Sequence, residues 1–294
     1  MKKLLHLFLS KFFWGILRHF LSDRKYAAVR YRLELGEWPN IEKPQKFTEK
    51  IQYIKLYERT KIRQTAADRT RMRHFVTQKV GSEHLIPLID TFDTLTIPDW
   101  KSLPSQFVLK ANHGCGMISI VFNKDQQAFG DIQQQTENWK QTNYFNIGRE
   151  WVYRDLPRTI LAEKLLLNAG GEIPKDYKFF CFGGRVKLIQ VDYDRFGSQK
   201  RNLFDRDFNQ MEGRLLYPPY SGPTPRPPNI KKAVDVAEKL SAGFTFIRVD
   251  LYLLDEAIYV GELTNYPGNG FVPFEPESLE YKVGSWLDLG STRT

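Results

Sequence analysis

Two carboxylates, Asp250 and Glu262, stand in the C-terminal part of this 294-residue chain, where a buried strand ordinarily carries none. The apolar, β-branched-rich runs that hold them lie on either side of the turn-prone Asp255-Glu256-Ala257, and a hairpin there would bring both carboxylates to one place. Hard divalent cations such as Mg²⁺ take oxygen ligands and commonly share them with phosphates, so this pair suits a nucleotide-bound metal. Thr264 and Asn265 add neutral oxygens beside Glu262. Pairing with basic side chains at a sheet edge is the competing explanation.

A second candidate lies upstream, in Gln106-Phe-Val-Leu-Lys-Ala-Asn-His-Gly-Cys-Gly-Met-Ile-Ser-Ile-Val121. It reads as a short strand ending in Lys110, a loop carrying Gly114 and Gly116, and a second strand. Glycines let backbone N–H groups approach phosphate oxygens, and a lysine at the strand end supplies a point charge. A plain hairpin loop has the same pattern. It is not a Walker A loop, which needs Gly-Lys-Ser/Thr and a following helix.

These residues need a strand-rich frame. Tyr177 to Phe182 and Val186 to Val191 read as paired strands turning at Gly183-Gly184, and Ile230 to Ser241 as a helix. Pro218 to Pro228 is an extended loop, either covering the site or recognised by a proline-binding domain. Residues 23–104 are expected to be mainly helical, with breaks at Gly36-Glu-Trp-Pro39 and around Gly81 and Pro87.

Taken in order, Lys43-Pro-Gln-Lys-Phe-Thr-Glu-Lys-Ile-Gln52, Phe107 to Gly116, Arg149-Glu-Trp151, Ala162-Glu-Lys164, Asp176-Tyr-Lys-Phe-Phe-Cys-Phe182, Arg248-Val-Asp250, Gly261-Glu-Leu-Thr264 and Tyr266-Pro-Gly268 resemble the ATP-grasp enzymes. The resemblance is strongest to the branch related to the teichuronic acid biosynthesis protein TupA. It implies an α+β fold of two lobes clasping a nucleotide over residues 105–294, with an N-terminal helical extension.

The same resemblance implies ATP and Mg²⁺ as cofactors. Lys110 and Lys178 would neutralise phosphates, together with Arg69 from Asp68-Arg-Thr-Arg-Met-Arg73, a segment that otherwise reads as a solvated helix face. Gly114 and Gly116 would fold over the triphosphate, Glu163 and Leu165 would neighbour the nucleotide, and Asp250, Glu262 and Thr264 would hold metal. Lys110, Lys178 and Arg195 are the candidate catalytic residues, with Asp192, Asp194, Arg201 and Asn202 near an acceptor. Many ATP-grasp members carry Glu-x-Asn on the second metal strand, whereas Thr264 stands at that position here, as is common in TupA-like proteins. Asn265 would face away unless the backbone bulges. No nucleophilic side chain is required, so His113 and Cys115 are expected to be loop neighbours only.

Composition is compatible with these expectations. The chain is 41% hydrophobic and carries a formal net charge of +9, from 43 Lys and Arg against 34 Asp and Glu, which favours anionic partners. The basic residues are dispersed among acidic ones, arguing against nucleic acid. Cys115 and Cys181 are the only cysteines, too few and too far apart for a disulfide framework or structural zinc, and cytoplasmic residence is expected.

Within residues 1–22, Leu5, Phe8, Leu9, Phe12, Phe13, Ile16 and Phe20 recur at helical spacing opposite Lys3, Ser10, Lys11 and Arg18. This amphipathic helix would lie on the inner membrane face or pack on the protein's own core.

The expected activity is an ATP- and Mg²⁺-dependent ligase modifying a cell-surface polysaccharide or its precursor, joining a sugar-acid acceptor to an amine through an acyl phosphate. A glycosyltransferase using a nucleotide sugar and a noncatalytic, membrane-associated assembly protein are the alternatives.

Overall fold

The computed structural model describes residues 11–194, 197–254 and 257–290. Helices α1 (Asp23–Leu35), α2 (Phe47–Tyr57), α3 (Lys61–Ala67) and α4 (Arg69–Val80) come first, followed by β1 (Leu88–Phe92) and α5 (Ile97–Ser102). Next are β2 (Phe107–Ala111), β3 (Ile118–Val121), α6 (Phe129–Gln141), α7 (Phe145–Gly148) and β4 (Ile160–Glu163). The strands β5 (Asp176–Phe182), β6 (Arg185–Tyr193), β7 (Lys200–Phe204), β8 (Gln210–Met211) and β9 (Arg214–Leu215) lead into α8 (Ile230–Ser241). The chain closes with β10 (Phe246–Leu254), β11 (Ala257–Thr264), β12 (Phe274–Glu275) and α9 (Glu277–Trp286).

Two antiparallel sheets carry the architecture: four strands in the order β1-β4-β2-β3, and six in the order β11-β10-β5-β6-β7-β8. The region 23–104 thus contributes a strand as well as helices, and the smaller sheet draws on both sides of residue 104.

Strand alternation divides each sheet into a dry face and a second face. In the smaller sheet Phe107, Leu109, Ala111, Val121, Ile160 and Ala162 point into a core with Trp100 and Ile132. Val108, Lys110, Ile118, Ile120 and Glu163 point the other way, into a cavity. In the larger sheet Tyr177, Phe179, Cys181, Ile247, Val249 and Leu251 pack beneath α4 and α8, whose buried faces include Met72, Val76, Ala233, Val234, Ala237 and Leu240. The i, i+3, i+4, i+7 spacing of Ile230, Ala233, Val234 and Ala237 accounts for α8 lying flat on that sheet.

The opposite face of the larger sheet changes character along each strand. At one end Phe180, Phe182 and Phe246 join Phe47 of α2 and Phe274, with Phe47 ring centroids 5.3–6.2 Å from the other four. Burying one such ring contributes about 1.5–3 kcal/mol, so this cluster firmly seats the strands. Two residues further along the same face the side chains become Lys178 and Arg248, and the cavity begins.

Candidate functional site

The cavity between the two sheets measures about 530 Å³. Ile86, Val108, Ile118, Ile120, Leu165 and Leu166 give its roof and one end an apolar lining, interrupted in the roof by Lys110 and Glu163. Its floor is polar and comes from the larger sheet, where β5, β6 and β10 each contribute polar side chains two residues apart: Asp176 and Lys178, Gln190 and Asp192, Arg248 and Asp250. Register sets them side by side. Asp250 lies opposite Glu262 on β11 and Lys178 on β5, Lys178 opposite Gln190, and Asp176 opposite Asp192, which in turn lies opposite Arg201.

Glu262 reaches this floor because β11 bulges. Asp250 pairs with Glu262 but Leu251 pairs with Val260, so Gly261 is the extra residue. Before it, Ile258 and Val260 face the core; after it, Leu263 does, leaving Glu262 to line the cavity. A Cβ at Gly261 would lie 2.9 Å from Tyr252 Cε2, so the close approach needs glycine.

Cations and carboxylates on the floor are interleaved. Arg248 donates from Nε to Asp250 Oδ1 and from Nη2 to Asp250 Oδ2, both at 2.6 Å. Lys178 donates to Asp176 and, at 3.2 Å, to Asp250. Arg201 grips both oxygens of Asp192 at 2.5 and 3.2 Å. In the roof, Lys110 Nζ donates to Glu163 at 2.6 Å, and Arg73 donates to the same carboxylate at 3.1 Å. Arg69 is the first residue of α4, a helix capped by Asp68. Its backbone N–H donates to Asn112 and its Nε to the Ala111 carbonyl, which holds its guanidinium 3.7 Å from Glu262.

Burial pushes the Asp250 carboxyl above its ordinary range, against the opposing pull of Arg248 and Lys178. Burial also acts on Glu262, but Arg69 and Arg248 outweigh it and hold that carboxyl below the usual range. Burial opposes charge on Arg69, yet Glu262 and its other anionic neighbours leave that guanidinium more basic than usual.

The structure thus brings Arg69, Lys110, Gly116, Glu163, Leu165, Lys178, Asp250 and Glu262 to one cavity. Gly114 lies apart from the lining: a Cβ there would meet Tyr144 and Met117 at 3.0–3.1 Å. Thr264 acts through its neighbours, donating to Glu262 at 2.9 Å and accepting from Arg248 at 3.0 Å. Arg195 lies outside the described residues. Of the acceptor candidates, Asp192 and Arg201 line the cavity, whereas Asp194 closes a turn onto the Ser198 N–H and Asn202 bonds the Tyr220 backbone. Asn265 pairs with Arg63, away from the metal candidates. His113 is bonded to the Trp139 carbonyl, while Cys115 lines the cavity, so the two form no catalytic pair.

Arg248, Asp176 and Gln190 were not among the sequence candidates. Their signal was available in the chain: polar residues at i and i+2 inside otherwise apolar strands mark one wetted face.

A sequence profile of TupA-like ATP-grasp proteins matches residues 49–287, which includes every floor residue. The chain belongs to the TupA-like ATP-grasp family. Among solved structures, this family member is similar to a D-alanine–D-alanine ligase from Bacillus anthracis complexed with ATP, at 12% identity and a TM-score of 0.42, covering 76% of this chain and 63% of that one. A D-alanine–D-alanine ligase from Helicobacter pylori gives 11% identity and a TM-score of 0.42, covering 78% and 60%. A phosphoribosylamine–glycine ligase from Thermotoga maritima gives 14% and 0.41, covering 69% and 48%. The chain therefore spans less than two thirds of each of these three. Comparison with curated proteins gives no match.

The lining fits a nucleoside triphosphate, with an apolar end for a base and Arg69, Lys110 and Lys178 for phosphates. It also fits a divalent cation of the kind that shares its ligands with phosphates. Asp250 and Glu262 face each other across the ladder, and the Arg69 guanidinium stands 3.7 Å from Glu262 Oε2, beyond hydrogen-bond distance. Among the described residues, no three acidic, histidine or cysteine side chains converge on a protein-only metal site.

Proposed function

We propose that this protein is an ATP-dependent ligase that uses Mg²⁺ and acts in the cytoplasm on a cell-surface polysaccharide or its precursor, activating an acceptor carboxylate for attack by an amine. One observation carries the reading: Lys178, Arg248, Asp250 and Glu262 share a single face of the β11-β10-β5 ladder beneath an apolar roof. Family membership supports ATP as the nucleotide.

ATP with Mg²⁺ would supply the phosphoryl group and neutralise the charge on it. Lys110 and Lys178 would bind phosphate oxygens by exchanging Glu163 and Asp176 for them, while Arg69 adds a third cation. Asp250 and Glu262 would hold the metal, with Thr264 fixing the Glu262 carboxylate. Arg248, two residues from Asp250, would stabilise negative charge developing on the acceptor. The apolar side chains of the roof would limit water around the reacting groups and so strengthen each of these interactions.

Calorimetric titration with ATP and with UDP-sugars, with and without Mg²⁺, tests the proposal. Mg²⁺-dependent ATP binding lost in Lys110→Met and Glu262→Gln, with ATP turnover on carboxylate acceptors, supports it. Preference for a UDP-sugar would favour glycosyl transfer. ATP binding with no turnover on any acceptor would favour an assembly role.

A further inference from the structure

Residues 11–15 form a helical turn that continues into a 3-10 turn at Leu17–His19. The segment is fastened by one side. Phe13 is 1% exposed, with its ring 5.3 Å from that of Tyr26, and Arg30 lies over the Trp14 ring at 4.9 Å. Arg149 Nη2 donates to the Arg18 carbonyl at 2.7 Å. Phe13 and Trp14 account for packing against the protein's own core.

Phe12, Ile16 and Phe20 are left 44%, 56% and 82% exposed. They recur every four residues, and in the sequence Leu5, Phe8 and Leu9 continue the apolar spacing toward the N-terminus. Residues 1–22 contain Lys2, Lys3, Lys11 and Arg18 and no Asp or Glu. Lys11 is exposed next to Phe12, and Arg18, between Ile16 and Phe20, is half-buried with its guanidinium over the Trp14 ring at 5.7 Å.

We infer that this face docks the protein, in the plane of the interface, on an anionic lipid surface. The apolar stripe would enter the acyl boundary while the flanking cations meet headgroup charge. A second copy of the chain is a poorer match, because symmetric pairing would set cation against cation. Among the described residues no helix is long and apolar enough to cross a membrane.

The test is co-sedimentation of the full chain with vesicles of phosphatidylglycerol and phosphatidylcholine, or of phosphatidylcholine alone. The parent should bind the anionic vesicles in a salt-sensitive manner. Phe12→Ser, Ile16→Ser and Phe20→Ser combined should reduce partitioning at least about tenfold, and Lys11→Glu with Arg18→Glu should abolish the preference for anionic lipid. An unchanged melting temperature and unchanged ATP binding in these variants would locate the loss at the surface, independently of the cavity. No vesicle binding by the parent, or equal binding by the triple serine variant, overturns the inference. Light scattering showing a parent dimer that the serine variant dissolves, without vesicle binding, overturns it in favour of self-association.

Discussion

Arg248 and Asp250 grip one another from the same strand and face, through two hydrogen bonds of 2.6 Å. Asp250 is therefore already committed to protein cations and must exchange part of that pairing to take a metal. Asp250→Asn should lower Mg²⁺-dependent ATP affinity at least about tenfold. Calorimetry with and without Mg²⁺ would read the loss, and equal affinity in variant and parent would remove Asp250 from the metal site.

Gly261→Ala should affect binding more than stability. The added Cβ meets the edge of the Tyr252 ring at 2.9 Å, which disturbs the bulge that aims Glu262. A destabilisation of about 1–3 kcal/mol is expected. At temperatures where the variant remains fully folded, Mg²⁺-dependent ATP binding should still be weakened; parent-like affinity would show that the bulge tolerates a side chain.

The negative charge of Glu262, together with desolvation by the surrounding cavity walls, pushes the thiol of the solvent-accessible Cys115 up to about 11. Alkylation by iodoacetamide at pH 7.5 should accordingly run roughly two orders of magnitude slower than that of a free thiol. Glu262→Gln should accelerate it and Mg²⁺ with ATP should slow it further, both measured by mass spectrometry. A reaction at the rate of a free cysteine would contradict this environment.

Behind the cavity, Asn269 joins two buried ionisable groups. Lys55 donates to Asn269 Oδ1 at 2.5 Å, and Asn269 Nδ2 donates to Glu150 at 2.8 Å. Burial raises Glu150 to about 7 and lowers Lys55 to about 7. For Glu150 the folded value exceeds the unfolded one, so its contribution is complete below about 4.5 and is lost as pH rises toward 7. Glu150→Gln lacks this titration. Its melting temperature relative to the parent should therefore climb across that window, and a flat difference would refute the assignment.

The sequence made individual strands more legible than their neighbours. Asp250 and Glu262 stood out as polar interruptions in apolar runs, and helix Ile230–Ser241 was visible in its spacing. Cross-strand partners were not visible, because Lys178 and Asp250 meet across 72 residues of chain through a register that no local pattern encodes. Gly261 shows the same limit on a smaller scale. A strict two-residue period would place Glu262 with Ile258 and Val260 in the core, and only the pairing with β10 reveals the bulge. Gly114 and Gly116 look equivalent in sequence, yet Gly116 lines the cavity while Gly114 packs against Tyr144 and Met117.

That bulge also bears on how the gene can vary. Losing Gly261 would restore regular alternation without turning Glu262 or Leu263 to the other face, because Asp250 would still pair with Glu262 and Leu251 with Val260. Lineages that lose residue 261 should therefore still keep Glu262 and Leu263, whereas those that retain it should retain it as glycine, because a side chain there meets the Tyr252 ring.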